Sequence, residues 1–251
     1  NRPEWAFADL ATLAAAAVVV PIYATLTPAQ ALYILNDSEA KIVFVSTAVQ
    51  LQKLQQIRGQ AKCLRHVVSF DPAATAPDVW TLDALRERGR GPLAADPQAV
   101  RRRAAEARED DLATLVYTSG TTGEPKGVML THGNLVSNLF AARECLDLNE
   151  NDVALSFLPL SHSFERMASF LYLFTGTTMI FAESFDTIGR DIATVRPTMV
   201  TGVPRVYEKM QARILEKAGA ATGVKAALFK LAMSAGTKRA SAQLRGTRVN
   251  P

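Results

Sequence analysis

Short apolar segments alternate with helical patterns along most of this chain, and this alternation limits the fold more than any other feature. Strands are predicted at 18–22, 41–46, 66–70, 112–117, 127–130, 153–157, 177–182 and 199–203. Helices are predicted at 5–16, 28–35, 49–57, 132–145, 164–174, 187–195, 205–217 and 222–244. Because such alternation is typical of βαβ units, the predicted fold class is α/β, with mostly parallel sheets covered by helices.

Residues 71–111 interrupt the alternation with four prolines, two glycines and a charged run that contains three consecutive arginines. Such segments are typical of surface connections. We expect a surface excursion with short helices inside one domain that spans residues 1–251, and a domain boundary is the alternative. The arginines are expected to form a solvated face rather than a binding patch.

The positive charge of the chain is concentrated near its end. The net charge is +4, from 28 basic and 24 acidic residues. Segment 217–248 holds seven basic and no acidic residues, so the remainder carries 21 − 24 = −3. The pI near 9.2 therefore does not indicate a nucleic-acid-binding domain, and no nucleic-acid partner is expected.

The basic segment 217–248 has two interpretations. Its modest hydrophobicity favours a solvated surface helix. The alternative is peripheral contact with an anionic membrane, to which each basic residue contributes about 1 kcal/mol. The uncharged stretch 10–36 does not predict a spanning helix, because Pro21 and Pro28 interrupt it.

The two cysteines, Cys63 and Cys145, lie far apart and without metal-ligand spacing. This usage predicts reduced thiols in small core positions. The expected localisation is cytoplasmic, or the inner face of the membrane if the basic segment contacts lipid.

A loop rich in glycine and hydroxyl groups follows the strand at 112–117. Residues 118–127 read TSGTTGEPKG, with four hydroxyls, three glycines and one lysine. Glycines let backbone N–H groups approach a bulky anion, hydroxyls donate to phosphate oxygens, and Lys126 supplies positive charge. The composition predicts polyphosphate binding, and a flexible turn is the alternative.

The spacing of this loop differs from a Walker loop, in which the lysine leads directly into a helix. Here Lys126 lies between Pro125 and Gly127, and an apolar segment precedes the next helix. We therefore predict a hairpin that closes over the phosphates.

The string YTSGTTGEPKGVMLTHGN at 117–134 resembles the phosphate-loop signature of the adenylate-forming superfamily. The segments NRPEW, YILNDSEAKIVFV, LPLSHSFERM and TMVTGVPRVYEKM narrow the resemblance to bacterial long-chain fatty acid:CoA ligases. The resemblance implies ATP-dependent formation of an acyl-adenylate, followed by transfer of the acyl group to coenzyme A. It also implies magnesium, and it makes fatty acid and CoA the expected substrates.

The resemblance assigns roles to residues of the loop. Ser119, Thr121, Thr122 and the amides of Gly120 and Gly123 would hold the β- and γ-phosphates of ATP. Lys126 would neutralise these phosphates. Thr118 matches a position implicated in magnesium binding. The expected contributions are positioning and charge neutralisation.

The histidine of LPLSHSFERM matches a position beside the α-phosphate and the entering carboxylate in similar enzymes. His162 is therefore expected to line the substrate pocket; a carboxylate is already ionised near pH 7 and needs no general base. Some family members carry a gating tryptophan where this chain has Arg166, with Glu165 beside it. The alternative for this arginine is an ion pair at a helix end, which would contribute little to stability if exposed.

Six of the eleven phenylalanines lie between 157 and 185. They would suit an acyl tunnel, and core packing explains the cluster equally well.

The chain does not contain the magnesium-binding glutamate, the ribose-binding aspartate or the C-terminal lysine of the superfamily. It is therefore expected to be a fragment of the N-terminal AMP-binding domain, without the small C-terminal domain and inactive alone. The alternatives are another adenylate-forming enzyme, which activates aryl or amino acids, and a noncatalytic binding fragment.

Overall fold

The computed structural model describes residues 1–118, 124–219 and 223–245, without the side chains of 217, 218 and 225. The helices are α1 (Pro3–Ala14), α2 (Pro28–Asp37), α3 (Ala48–Ile57), α4 (Leu82–Ala95), α5 (Ala99–Ala105), α6 (His132–Cys145), α7 (Ser163–Thr175), α8 (Ile188–Val195), α9 (Pro204–Gly219) and α10 (Val224–Leu244). The strands are β1 (Ile42–Val45), β2 (His66–Ser69), β3 (Val79–Thr81), β4 (Leu112–Thr118), β5 (Lys126–Thr131), β6 (Val153–Ser156), β7 (Thr178–Phe181) and β8 (Met199–Val200). The α/β fold class predicted from the sequence is confirmed.

The first sheet is parallel, with strand order β1–β2–β3, and it packs against α2 and α3. The buried core formed by this sheet, the two helices and their connections consists of Leu35, Val45, Leu51, Leu54, Ile57, Ala61, Val67 and Ala74. Helix α2 begins as its sequence predicts, because Thr27 accepts from the backbone N–H of Gln30 and the Gln30 side chain accepts from that of Thr27. This reciprocal cap satisfies N–H groups that the first helical turn leaves free.

Two further sheets follow along the chain. Strands β4 and β5 form an antiparallel hairpin, as the loop sequence predicts. Strands β7, β6 and β8 form a second parallel sheet in that order. In this sheet the carboxyl ends of β6 and β8 lie at the same edge, next to the first turns of α7.

The strand predicted at 18–22 is wrong. Val19 makes an isolated parallel bridge to Thr114, with its N–H donating to the Ala113 carbonyl and its carbonyl accepting from the N–H of Leu115. The segment ends at Pro21, which cannot donate to a sheet, so the apolar run contributes only one bridged residue.

Segment 71–111 contains a strand that its composition did not predict. Val79–Thr81 forms β3 and pairs with β2. Helices α4 and α5 follow and bury no residues, and Arg102 and Arg103 of the arginine run are exposed and pair with Asp96 and Glu106. The arginines therefore lie on a solvated face.

The expected core positions of the two cysteines are wrong, since Cys63 is half-buried and Cys145 is exposed. The chain divides into a unit of residues Asn1–Thr201 and a unit of residues Gly202–Pro251. The described part of the second unit consists of α9 and α10. No helix within the described ranges combines the length and the apolarity needed to cross a membrane.

Replacement of Leu54 by alanine tests the core of the first sheet. Leu54 is 6% exposed, so Leu54→Ala leaves a cavity and should lower the free energy of unfolding by about 2–5 kcal/mol. Val49 lies on the same helix and is 60% exposed, so Val49→Ala should change it by about 0.5 kcal/mol or less. Chemical denaturation measures both, and equal effects would contradict this description of the core.

Candidate active site

The β4–β5 hairpin carries the predicted phosphate loop at its turn. Thr118 ends β4, Lys126 begins β5, and the two residues are cross-strand partners. Thr118 and Lys126 therefore lie opposite each other where the two strands join the loop. Both side chains are exposed. The remaining predicted phosphate ligands lie outside the described residues: Ser119, Gly120, Thr121, Thr122 and Gly123.

The loop end of this hairpin is hydrogen-bonded to α2. The hydroxyl of Tyr117 donates to Oδ2 of Asp37 over 2.6 Å. Burial and this hydrogen bond raise the pKa of Tyr117, so the phenol stays protonated and keeps donating. The ring covers Gly127, where a Cβ atom would lie 3.1 Å from Cζ of Tyr117. Glycine is therefore the residue that lets the tyrosine lie flat against β5 beside Lys126.

His162 is the N-cap of α7. Its Nδ1 accepts from the backbone N–H of Phe164 over 3.2 Å, and its ring meets Tyr23 edge-to-face at 6.4 Å between centroids. The imidazole is exposed, with its other nitrogen free of this cap. Within the described ranges, no hydrogen bond or ring contact joins it to Thr118 or Lys126.

Arg166, one turn further along α7, forms an ion pair that is deeply buried rather than exposed. Its side chain is 3% exposed, and Nε and Nη2 donate to the two carboxylate oxygens of Asp9 over 2.8 and 2.6 Å. Nη1 donates to the Thr114 hydroxyl over 2.8 Å. The guanidinium therefore joins α7 to α1 and β4.

Glu165 is fully buried but faces a different group of residues. Its Oε2 accepts from the hydroxyl of Thr201, which follows β8, over 2.9 Å. Its Oε1 has no hydrogen-bond partner among the described residues. Burial raises the pKa of Glu165, and the hydroxyls of Ser156 and Thr201 offset this only in part.

The sequence pointed to Arg166 and Glu165 but not to their partners. Asp9 is the last charged residue before the uncharged stretch 10–36 and lies in an alanine-rich helix. An isolated carboxylate in such a helix is a signal for a buried partner, because unpaired buried charges are strongly unfavourable. Thr114 and Thr201 gave no comparable signal.

None of the phenylalanines between 157 and 185 belongs to the fully buried core. Three are exposed and three are half-buried: Phe164, Phe174 and Phe185, then Phe157, Phe170 and Phe181. Ring contacts join Phe157 to Phe185 at 6.4 Å between centroids. The cluster is therefore only partly buried in the described part of the chain.

The described residues do not form a metal centre by themselves. Among them, no group of three or more histidine, cysteine, aspartate or glutamate side chains could hold a metal ion. The Thr118 hydroxyl supplies one oxygen, whereas Mg²⁺ prefers octahedral oxygen coordination. These residues alone do not fit a magnesium site.

The family model described as "AMP-binding enzyme" matches residues 1–248. The chain belongs to this family. A long-chain-fatty-acid–CoA ligase, FadD15 of Mycobacterium bovis, is 38% identical over 212 residues, covering 84% of this chain and 34% of the relative. The peroxisomal long chain acyl-CoA synthetase 6 of Arabidopsis thaliana is 33% identical over 261 residues, covering 100% of this chain and 36% of the relative.

Solved structures of the AMP-binding family share the fold. The inhibitor-bound N-terminal domain of FACL13 from Mycobacterium tuberculosis superposes with a TM-score of 0.64 at 28% identity, over 84% of this chain and 50% of that one. ATP-bound MatB from Rhodopseudomonas palustris has a TM-score of 0.62 at 27% identity, over 83% and 39%. The chain spans about a third of the length of the curated relatives above.

The buried carboxyl of Glu165 predicts a pH-dependent stability. Its raised pKa makes the folded state bind a proton more tightly than the unfolded state. The resulting stabilisation is complete below the unfolded pKa of about 4.3 and is lost as pH rises through the folded pKa. Glu165→Gln is uncharged, so its free energy of unfolding relative to wild type should rise as the pH increases above about 4.

Chemical denaturation at a series of pH values measures this difference. Glu144→Gln changes an exposed glutamate on α6 and is the matched control, which should show no such trend. If the difference in the free energy of unfolding between Glu165→Gln and wild type stays constant with pH, ionisation of this carboxyl does not destabilise the folded state.

Proposed function

We propose that the full-length protein, meaning a protein of its relatives' length that carries this chain, activates a long-chain fatty acid with ATP. The fatty carboxylate oxygen attacks the α-phosphate, the bond to the β-phosphate breaks, and acyl-adenylate and pyrophosphate form. The thiol of coenzyme A then displaces AMP and gives the acyl-CoA thioester. ATP, fatty acid and CoA are the proposed substrates.

The pairing of Thr118 with Lys126 carries the proposal. Because these residues are cross-strand partners, Lys126 lies where the hydroxyl- and glycine-rich loop joins the hairpin. A cation placed beside backbone and hydroxyl donors is suited to the charge that develops on transferring phosphoryl groups. The loop donors proposed for the β- and γ-phosphates are Ser119, Thr121, Thr122 and the amides of Gly120 and Gly123.

His162 is proposed to line the pocket beside the α-phosphate. Its Nδ1 is engaged by the cap of α7, which fixes the ring and directs the other nitrogen away from the helix. A fixed imidazole can orient the entering carboxylate, which is ionised near pH 7 and attacks without a base. His162 is therefore assigned a positioning and polar role rather than proton abstraction.

Thr118 is proposed to contact the Mg²⁺ that accompanies ATP. Bound Mg²⁺ supplies charge neutralisation of phosphate oxygens. Because one hydroxyl does not make a magnesium site, the residues of this chain are assigned no step that passes through the metal.

The fatty-acid substrate is supported by two observations. The curated relatives at 33–38% identity are named as long-chain fatty acid:CoA ligases or acyl-CoA synthetases. The phenylalanines at 157–185 are exposed or half-buried, and a cluster of such rings is suited to line an apolar pocket. An aryl- or amino-acid-activating enzyme is the alternative, since the loop chemistry is the same.

Pyrophosphate exchange by the full-length protein tests the substrate class. Exchange that depends on palmitate is expected, with little exchange on benzoate or amino acids. Exchange on benzoate or an amino acid alone would favour the alternative. A full-length protein that neither exchanges pyrophosphate nor binds ATP would be a noncatalytic binding protein.

Lys126→Ala tests the role of the hairpin lysine. Loss of a preorganised charge at the phosphates should lower the rate of palmitate-dependent pyrophosphate exchange by about 10²-fold or more. Lys62→Ala removes an exposed lysine between α3 and β2 and should leave the rate unchanged. Unchanged turnover in Lys126→Ala would refute the assignment of this loop to phosphate binding.

A further inference from the structure

We propose that Arg166 is a positioning residue, which holds the first turn of α7 against β4 and so sets the position of His162 relative to Thr118 at the end of that strand. The inference rests on the proposed function, because the two segments that it aligns are those assigned to the α-phosphate and to the β- and γ-phosphates. One guanidinium joins three elements of the fold: α1, β4 and α7.

The guanidinium of Arg166 uses separate nitrogens for separate elements. Nε and Nη2 bind the two oxygens of Asp9 in α1, and Nη1 binds the hydroxyl of Thr114 in β4. The carbon atom Cζ also lies 5.4 Å from the ring centroid of Phe170 on the same helix. Because the Arg166 side chain is 3% exposed, water does not compete for the hydrogen bonds of its guanidinium.

The Thr114 hydroxyl is the acceptor for the third nitrogen of this guanidinium. Its hydroxyl donates to the Val19 carbonyl over 2.7 Å, so its proton is already used and its lone pairs face Arg166. Because each residue of β4 from Thr114 to Thr118 has a partner in β5, the position of Thr114 determines that of Thr118, about 13 Å further along the strand.

The other end of the connection is the start of α7. The backbone N–H of Arg166 donates to the carbonyl of His162 over 3.1 Å, which closes the first helical turn. His162 therefore lies about 6 Å along the helix axis from Arg166. A single side chain thus connects the residue proposed at the α-phosphate to the strand that enters the phosphate loop.

Stability alone gives no reason for an ion pair here. Replacing a buried ion pair with apolar residues of similar volume is often neutral or stabilising. An apolar pair would keep α1 and α7 packed, but it could not fix Thr114, which needs a directed N–H donor. The ion pair therefore differs from an apolar pair in that it aligns β4 with α7.

Thr114→Val in the full-length protein removes the hydrogen bonds of the Thr114 hydroxyl to Arg166 and to the Val19 carbonyl. Valine keeps the shape of threonine and leaves the ion pair of Arg166 with Asp9 intact. We expect the kcat of palmitate-dependent pyrophosphate exchange to fall about 10-fold or more, because small misplacements of reacting groups are costly. The KM for ATP should stay within about 3-fold, and Thr114→Ser, which restores the hydroxyl, should recover the rate.

The double variant Asp9→Leu/Arg166→Met separates positioning from stability. We expect its thermal unfolding midpoint to stay near that of wild type while kcat remains low. Asp96→Leu/Arg102→Met removes an exposed pair on α5 and its preceding turn, and it is the matched control with unchanged kcat. If the double variant does not fold, Thr114→Val and Thr114→Ser decide the question.

Wild-type kcat in both Thr114→Val and the double variant would overturn the positioning role. A wild-type protein without exchange activity would instead count against the proposed function. In that case amide hydrogen exchange tests the positioning role. Thr114→Val removes the hydrogen bond between Arg166 and Thr114, so amides at 114–118 and in the first turn of α7 should exchange faster than in wild type. Unchanged amide exchange there would overturn it.

Discussion

The buried ion pair of Arg166 with Asp9 is the constraint around which the first unit is arranged. Both side chains are 3% exposed, so neither charge can be solvated, and each requires the other. The pair fixes α1 against α7, and the Thr114 hydroxyl ties β4 to the same point. The placement of β4 relative to α7 therefore depends on one cluster of four hydrogen bonds.

Most elements could be predicted because their signals are local. The capping threonine and proline at the start of α2, the β-branched residues of β1 and the glycine-rich connection of the hairpin each act within a few residues. Family membership followed from the loop and from the segments around His162. These signals identify residues by type and spacing, which is what a sequence records directly.

What could not be predicted depends on contacts between distant segments. Arg166 and Glu165 are adjacent, yet one pairs with α1 and the other faces Thr201 after β8. Burial of a charged residue is set by partners that the local pattern does not show, and β3 was missed because three residues give no usable period. Val19 shows the converse, since an apolar run that resembles a strand contributes one bridge.

The long separation between Asp9 and Arg166 has a consequence for synthesis on the ribosome. The two residues are 157 positions apart, so at 5–20 residues per second Asp9 waits about 8–30 s for its partner to be made. During that interval the alanine-rich helix carries an uncompensated carboxylate and cannot be buried without cost. Docking of α1 onto α7 is therefore a late event, because the partner of Asp9 is synthesised 157 positions later.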